Sequence, residues 1–204
     1  MAVKNREYKT GEGKAGLKNI PFQKRLEPHL DELKWLYMEL YDNQQMFEGL
    51  CSGMEEFCRA RRASLKRLDT KREKNPGWFR KSSMLGMMMY TDQFAGTLTG
   101  VKEKLDYIES CNVNYLHLMP LLDTPRGRSD GGYAVSDFRK VRDGLGTMDD
   151  LRALADECHK RGISLCLDFV MNHTSEEHEW AKRARAGERE YRDRYFFYDS
   201  YDVP

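Results

Sequence analysis

The sequence predicts an α/β fold with a helical region at its amino-terminal side. Before Asn75-Pro76-Gly77 the chain is rich in Leu, Met, Glu, Lys and Arg, which favour helices. After that turn signal, short apolar runs alternate with segments whose apolar residues recur every three or four positions. Strands alternating with helices indicate parallel pairing, as in an α/β barrel or a doubly wound sheet. The pattern alone does not choose between these two.

Two apolar stripes at helical spacing define the amino-terminal region. The stripes are Leu30, Leu33, Leu36, Tyr37 and Leu40, then Met46, Leu50, Met54, Phe57 and Cys58. We therefore expect two or three packed helices from about Pro28 to Lys74. The basic run from Arg59 to Lys74 interleaves with Leu65 and Leu68 at helical spacing, which favours a solvated helix face over a nucleic-acid site.

Three short apolar runs after the turn are candidate strands. They span Met87–Tyr90, Val113–Leu118 and Ile163–Leu167, and each is short and apolar, as strands buried on both faces tend to be. Helix patterns separate them: one carries Val101, Leu105 and Ile108, and the other carries Leu151, Leu154, Ala155 and Cys158. The second helix is expected to begin after an N-cap at Thr147, with Asp150 three residues on, and to stop at Gly162.

Composition narrows the classes of function. The chain has 34 Lys and Arg against 33 Asp and Glu, a net charge of +1, so no overall field favours nucleic acid or an anionic membrane. There is no apolar stretch of about 18 residues, and the polar start MAVKNREYKTGEGK lacks the core of a signal peptide. We therefore expect a cytoplasmic protein with no nucleic-acid or membrane partner.

Polar residues that directly follow a strand are the candidates for chemistry, because ligands meet the carboxyl ends of parallel strands. The third run leads into Asp168, Asn172 and His173. The second run ends near His117 and opens a long loop, Leu121 to Gly146. That loop contains Arg126, Arg128, Asp130, Tyr133 and Asp137.

These residue types are compatible with several kinds of site. Asp, Asn and His can pair with sugar hydroxyls, and an aromatic ring offers a flat face to a pyranose. The same groups could bind a hard cation or form a structural hydrogen-bond cluster in which Asp fixes the tautomer of His. His117 itself is expected to be a core histidine bonded to the backbone.

Several ordered blocks resemble the first conserved segments of the family-13 glycoside hydrolases and transglycosidases, the alpha-amylase superfamily. They are GYAVSDFR (132–139), GLGTMDDLRALADECHKRGI (144–163) and LDFVMNHTSEEHEWA (167–181). The blocks KREKNPGWF, MLGMMMYTDQFAG, NYLHLMPLL and SDGGYAV resemble the amylosucrase subgroup, as does a helical domain before a barrel. The resemblance covers roughly residues 65–198.

The resemblance implies a (β/α)8 TIM barrel, which resolves the choice between the two α/β folds. It places a helical domain at residues 1–85, the first three strands of the barrel at 86–175, and the start of a domain inserted after the third strand at 176–204. The barrel is incomplete in this chain, because such barrels need about 250 residues.

The resemblance also implies roles for single residues. Asp130 and Tyr133 match the family's glucosyl-subsite Asp and stacking Tyr, and His173 matches the His that contacts the glucosyl ring. Asp168 matches the Asp that orients the active site from the end of the third strand. Asn172 matches an Asn that binds calcium in many amylases but not generally in amylosucrases, so no metal is expected. HTSEEHEW lacks the HExxH spacing of a zinc site, and no cofactor is expected.

Catalysis in this family is retaining and needs a carboxylate nucleophile, a glutamic acid/base and a stabilising Asp, which come from the fourth, fifth and seventh strands. None of the 204 residues matches these three. We therefore predict the amino-terminal part of a sucrose-using α-glucosyltransferase that is inactive alone and whose complete form binds sucrose and α-glucan. A non-catalytic module that binds carbohydrate or a partner chain remains the alternative.

Overall fold

The computed structural model describes residues 22–200, and the chain divides into two compact units between Phe79 and Arg80. Residues 1–21 of the predicted helical domain and 201–204 of the predicted inserted domain lie outside the described residues. The domain boundaries at 85/86 and 175/176 stay predictions.

The first unit is helical, as the composition predicts. Its helices are α1 (Phe22–Tyr41), α2 (Gln44–Ala60) and α3 (Ala63–Glu73), and a 3-10 turn at Trp78–Arg80 follows α3 in the sequence. The helix α1 begins ahead of the start expected near Pro28 and contains that proline. Asn43 caps α2, because its side chain accepts a hydrogen bond from the Met46 N–H at 3.0 Å.

Little apolar surface is buried within the described part of this unit. Phe47 is its buried hydrophobic residue, and the ring of Tyr37 lies 5.5 Å from that of Phe47. Leu40 and Phe57, which belong to the two predicted stripes, remain exposed. The stripes are therefore helical, but the helices of this unit cover them only in part.

The second unit is built from five strands in its described part. They are β1 (Gly86–Met89), β2 (Tyr115–Leu118), β3 (Leu122–Asp123), β4 (Asp137–Val141) and β5 (Ser164–Leu167). Its helices are α4 (Thr91–Ala95), α5 (Leu98–Glu103), α6 (Leu105–Ser110), α7 (Met148–Lys160), α8 (Glu179–Arg185) and α9 (Arg189–Arg192). The strands β1, β2 and β5 form one sheet in that order, and both pairings are parallel, as predicted.

One face of the parallel sheet carries the core. Leu116 and Leu118 in β2 are fully buried with Leu98, Val101 and Leu154 from the crossover helices. The intervening β2 residues point to the opposite face, because side chains alternate along a strand.

That opposite face is only partly covered, so the expectation of strands buried on both faces is wrong here. In the sheet register Met88 lies beside His117, and His117 lies beside Cys166. Met88 is exposed and the other two are half-buried.

Local sequence patterns predicted some helices and strands correctly and did not predict others. The helix α7 has the predicted capping box of Thr147 and Asp150, and Gly162 follows its end with φ +74°. The pattern from Val101 to Ile108 is not one helix but two, since the backbone at Lys104 (φ −91°, ψ 6°) separates α5 from α6. The long loop contains the antiparallel pair β3–β4, which the sequence did not predict.

None of the helices between residues 22 and 200 is both long and apolar enough to cross a membrane. The cytoplasmic location stays a prediction from the sequence.

Candidate functional site

The candidate site lies at the carboxyl ends of β2 and β5. Asp168 follows β5 directly and uses both carboxylate oxygens. The hydroxyl of Tyr133 donates to Oδ2 of Asp168 at 2.8 Å, and Nε2 of His117 lies 2.9 Å from Oδ1. A residue from the β3–β4 loop and one from β2 therefore share a carboxylate at the end of the neighbouring strand.

A tight turn carries Tyr133 to this position. The 3-10 turn Asp130–Gly132 has positive φ throughout, with 45° at Asp130, 69° at Gly131 and 98° at Gly132. A Cβ atom on Gly132 would lie 2.8 Å from the Cβ of Pro120, which comes just after β2. Glycine is required here because the turn packs directly against the end of that strand.

The segment after β5 holds the same loop from the other side. Nε2 of His173 donates to the carbonyl oxygen of Tyr133 at 3.2 Å, and the Ser175 N–H donates to the carbonyl of Val135 at 2.8 Å. Arg128 pairs with Glu176 at 3.0 Å and also with Glu177. These bonds join the two loops into one surface.

The structure brings three of the five predicted site residues together by hydrogen bonds and leaves the side chains of the other two unpaired within residues 22–200. Tyr133, His173 and Asp168 are brought together by direct hydrogen bonds. Asp130 begins the turn that carries Tyr133, and its exposed carboxylate makes no hydrogen bond or ion pair with another described residue. Asn172 is exposed and is not bonded to the others within the described part of the chain.

The hydrogen bonds set the protonation of the central pair. Burial alone would raise the pKa of Asp168, but the hydrogen bonds from Tyr133 and His117 outweigh it and hold that pKa below its ordinary value. The pKa of Tyr133 is raised, chiefly because its hydroxyl is bonded to the Asp168 carboxylate. At neutral pH Asp168 is thus an ionised acceptor and Tyr133 a protonated donor. Their hydrogen bond fixes the position of the Tyr133 ring relative to the end of β5.

His117 is the site residue that sequence reasoning missed, because it was interpreted as a core histidine. The structure shows it half-buried and bonded to a carboxylate. The available signal was the alternation of Leu116, His117 and Leu118, which places the histidine on the face away from the buried leucines.

No cluster of three or more His, Cys, Asp or Glu side chains suited to a metal ion occurs among residues 22–200. The absence of a metal and of a cofactor in the working protein remains a prediction from the sequence.

Comparison with known proteins decides the family. Residues 63–202 match the alpha-amylase family over its catalytic domain. The chain belongs to the alpha-amylase family. This confirms the resemblance to the alpha-amylase superfamily, while the amylosucrase subgroup stays a prediction, and the matched range begins at the first residue of α3.

Relatives of this alpha-amylase chain share its sequence over about half its length. It is 43% identical over 105 residues to an oligo-1,6-glucosidase from Bacillus sp. (strain F5), which covers 51% of this chain and 20% of the relative. It is 45% identical over 108 residues to the trehalose synthase/amylase TreS of Mycolicibacterium smegmatis, covering 52% of this chain and 18% of that one. The chain therefore spans about a fifth of the length of these curated relatives.

Solved structures confirm the fold. The trehalulose synthase MutB from Pseudomonas mesoacidophila MX-45 superposes with a TM-score of 0.52 at 36% identity, over 59% of this chain and 23% of that chain. The parallel sheet of the second unit, with its crossover helices, is therefore the opening part of the (β/α)8 barrel of this family, as the sequence predicted.

Proposed function

We propose that the joined loops at the carboxyl edge form a glucosyl-binding subsite, and that the chain belongs to a sucrose-using α-glucosyltransferase of the amylosucrase type. A MutB variant solved in complex with the substrate sucrose supports a sucrose-related role, with a TM-score of 0.53 at 36% identity over 62% of this chain and 23% of that chain. Acceptor α-glucan is part of the same proposal.

The observation that carries the proposal is the double anchoring of Tyr133. Its hydroxyl is bonded to Asp168 and its carbonyl oxygen to His173, so the ring is held in one orientation. A fixed aromatic ring suits the apolar side of a pyranose, because stacking then costs little side-chain entropy. Asp130, on the same turn, supplies an unpaired carboxylate that can accept from sugar hydroxyls.

The bonding of Asp168 suits a role in positioning rather than in bond cleavage. Retaining transfer needs one carboxylate free to attack and another free to protonate the leaving oxygen. Asp168 has both oxygens engaged, so it holds Tyr133 in place. The same observation favours the second candidate function, a carbohydrate-binding module without catalysis. A protein that joins these residues to the remaining strands of the barrel and releases fructose from sucrose would exclude that second candidate.

Substitutions at the proposed subsite test the function in a protein that joins these residues to the remaining strands of the barrel. Tyr133→Ala and Asp130→Ala are each expected to lower kcat/KM for sucrose about tenfold or more, since each removes a contact to the glucosyl ring. Thermal unfolding is expected to change little for Asp130→Ala, whose side chain is exposed and unpaired.

Tyr107→Ala serves as the control, because it removes an exposed tyrosine of α6 whose ring lies near Phe94, 6.5 Å between ring centroids, and is not bonded to Tyr133 or Asp168. Unchanged kinetics in both subsite variants would refute the proposed roles. A fall in unfolding temperature that accounts for the lost activity would instead assign Tyr133 a structural role.

A further inference from the structure

The side chain of His117 lies on the partly covered face of the parallel sheet. It sits in the middle of the parallel sheet, yet it faces away from the buried leucines and is bonded to the carboxylate that also holds Tyr133. We propose that His117 is a positioning residue, which fixes the carboxylate of Asp168 and through it the orientation of Tyr133.

The sheet register brings the two side chains to one face. His117 pairs with Cys166 in the parallel ladder between β2 and β5, and Asp168 lies two positions beyond Cys166. Side chains two positions apart point to the same face of a strand, so Asp168 is directed to the side on which His117 lies. The 2.9 Å separation between Nε2 and Oδ1 follows from this pairing.

Hydrogen bonds to both oxygens of Asp168 prevent its carboxylate from turning, which a single hydrogen bond would not do. The terminal torsion of an aspartate is broad, so a carboxylate bonded through one oxygen can still turn about its Cβ–Cγ bond. Tyr133 occupies Oδ2 and His117 occupies Oδ1, which fixes the plane of the group. Removing His117 therefore frees the acceptor on which the Tyr133 hydroxyl depends.

The same bonds define the tautomer of His117. An ionised carboxylate only accepts hydrogen bonds, so Nε2 of His117 carries the proton. The side chains of His117 and Asp168 are 27% and 22% exposed, so the pair is sheltered without being sealed from water. A histidine placed for packing would need neither this tautomer nor a partner that is itself bonded to a second side chain.

Nuclear magnetic resonance of the 204-residue chain tests the positioning directly. Tyrosine labelled with 13C at Cζ reports the hydroxyl environment, and Tyr133→Phe identifies the signal of Tyr133. We expect His117→Leu to shift this signal and His117→Gln to return it toward the wild-type position, because glutamine keeps a terminal N–H donor. His159→Leu, on the helix α7, is the matched control and should leave the signal in place.

The route through Asp168 is tested by repeating the change without the carboxylate. In an Asp168→Ala background, His117→Leu is expected to leave the Tyr133 signal where Asp168→Ala alone puts it, because the shared acceptor is gone. An equal shift in both backgrounds, or no shift in the wild-type background, overturns the proposal. Should His117→Leu not fold, 15N signals of the His117 ring decide: the proposal requires a proton on Nε2 in the wild-type protein and a change in the Nε2 signal in Asp168→Ala.

The consequence for sugar binding rests on the proposed function and is measured separately. In the protein with a complete barrel, His117→Leu should raise KM for sucrose several-fold more than it lowers kcat, and His117→Gln should recover most of that loss. A wild-type protein that does not use sucrose would refute the proposed function, whereas the Tyr133 signal alone would still establish or overturn the positioning. A shift of that signal in His117→Leu with unchanged sucrose kinetics would overturn the role of His117 in binding.

Discussion

Gly132→Ala is expected to destabilise the second unit by about 3 kcal/mol and to displace Tyr133. Two effects add. The residue has φ +98°, a conformation that costs an alanine roughly 1–2 kcal/mol. The new methyl group would also lie 2.8 Å from the Cβ of Pro120 and 3.2 Å from its carbonyl oxygen, so either the turn or the strand end must move.

Gly144→Ala separates the two effects. Gly144 lies in the same loop with φ +90°, but a Cβ there would meet nothing within 4 Å. It should cost only the backbone strain, about 1 kcal/mol, and leave Tyr133 in place. Urea unfolding followed by a probe in the second unit measures both variants. Equal losses would show that the packing of Gly132 against Pro120 contributes nothing.

Asp168→Ala is expected to cost about 2–3 kcal/mol, because it leaves the hydroxyl of Tyr133 and Nε2 of His117 without their shared acceptor. Water reaches this half-buried pair, which keeps the loss below that of a fully buried network. Asp143→Ala is the control, since Asp143 makes an exposed ion pair with Lys140 at 3.0 Å and should cost less than about 1 kcal/mol.

The pH dependence of the unfolding free energy tests the Asp168 prediction a second time. The pKa of Asp168 is lowered in the folded protein, so its contribution is present above the unfolded value of about 4 and is lost as pH falls through the lower folded value. The difference in unfolding free energy between wild type and Asp168→Ala should therefore shrink below about pH 4. A difference that stays constant from pH 7 to pH 3 would mean that the ionised carboxylate is not what stabilises the fold.

The parts of the fold that the sequence predicted are those with strong local signals. The helix α7 was placed because Thr147 and Asp150 form a capping box and Gly162 ends the helix. The parallel strands were placed because each is a short apolar run between helix patterns. The strand β3 was missed because two residues, Leu122–Asp123, are too few to show any period.

The candidate site divides in the same way. Tyr133, Asp168 and His173 could be named from motif blocks and from the rule that ligands meet strand ends. The bond between His117 and Asp168 could not, because it depends on the register between β2 and β5, which no local pattern specifies. The apolar stripes of α1 and α2 predicted these helices but not the surfaces against which they pack. A stripe at helical spacing identifies an apolar face and carries no information about its packing partner.

The central claim is that Tyr133, Asp130 and His173 form one glucosyl-binding surface at the carboxyl edge of the parallel sheet. A crystal structure of the protein with its complete barrel, soaked with sucrose in a variant that cannot cleave it, tests this most directly. We predict the glucosyl ring stacked on Tyr133, with hydroxyls within hydrogen-bond distance of Asp130 and His173. A glucosyl ring bound elsewhere in the barrel, with Tyr133 still bonded to Asp168 but touching no sugar, would contradict it.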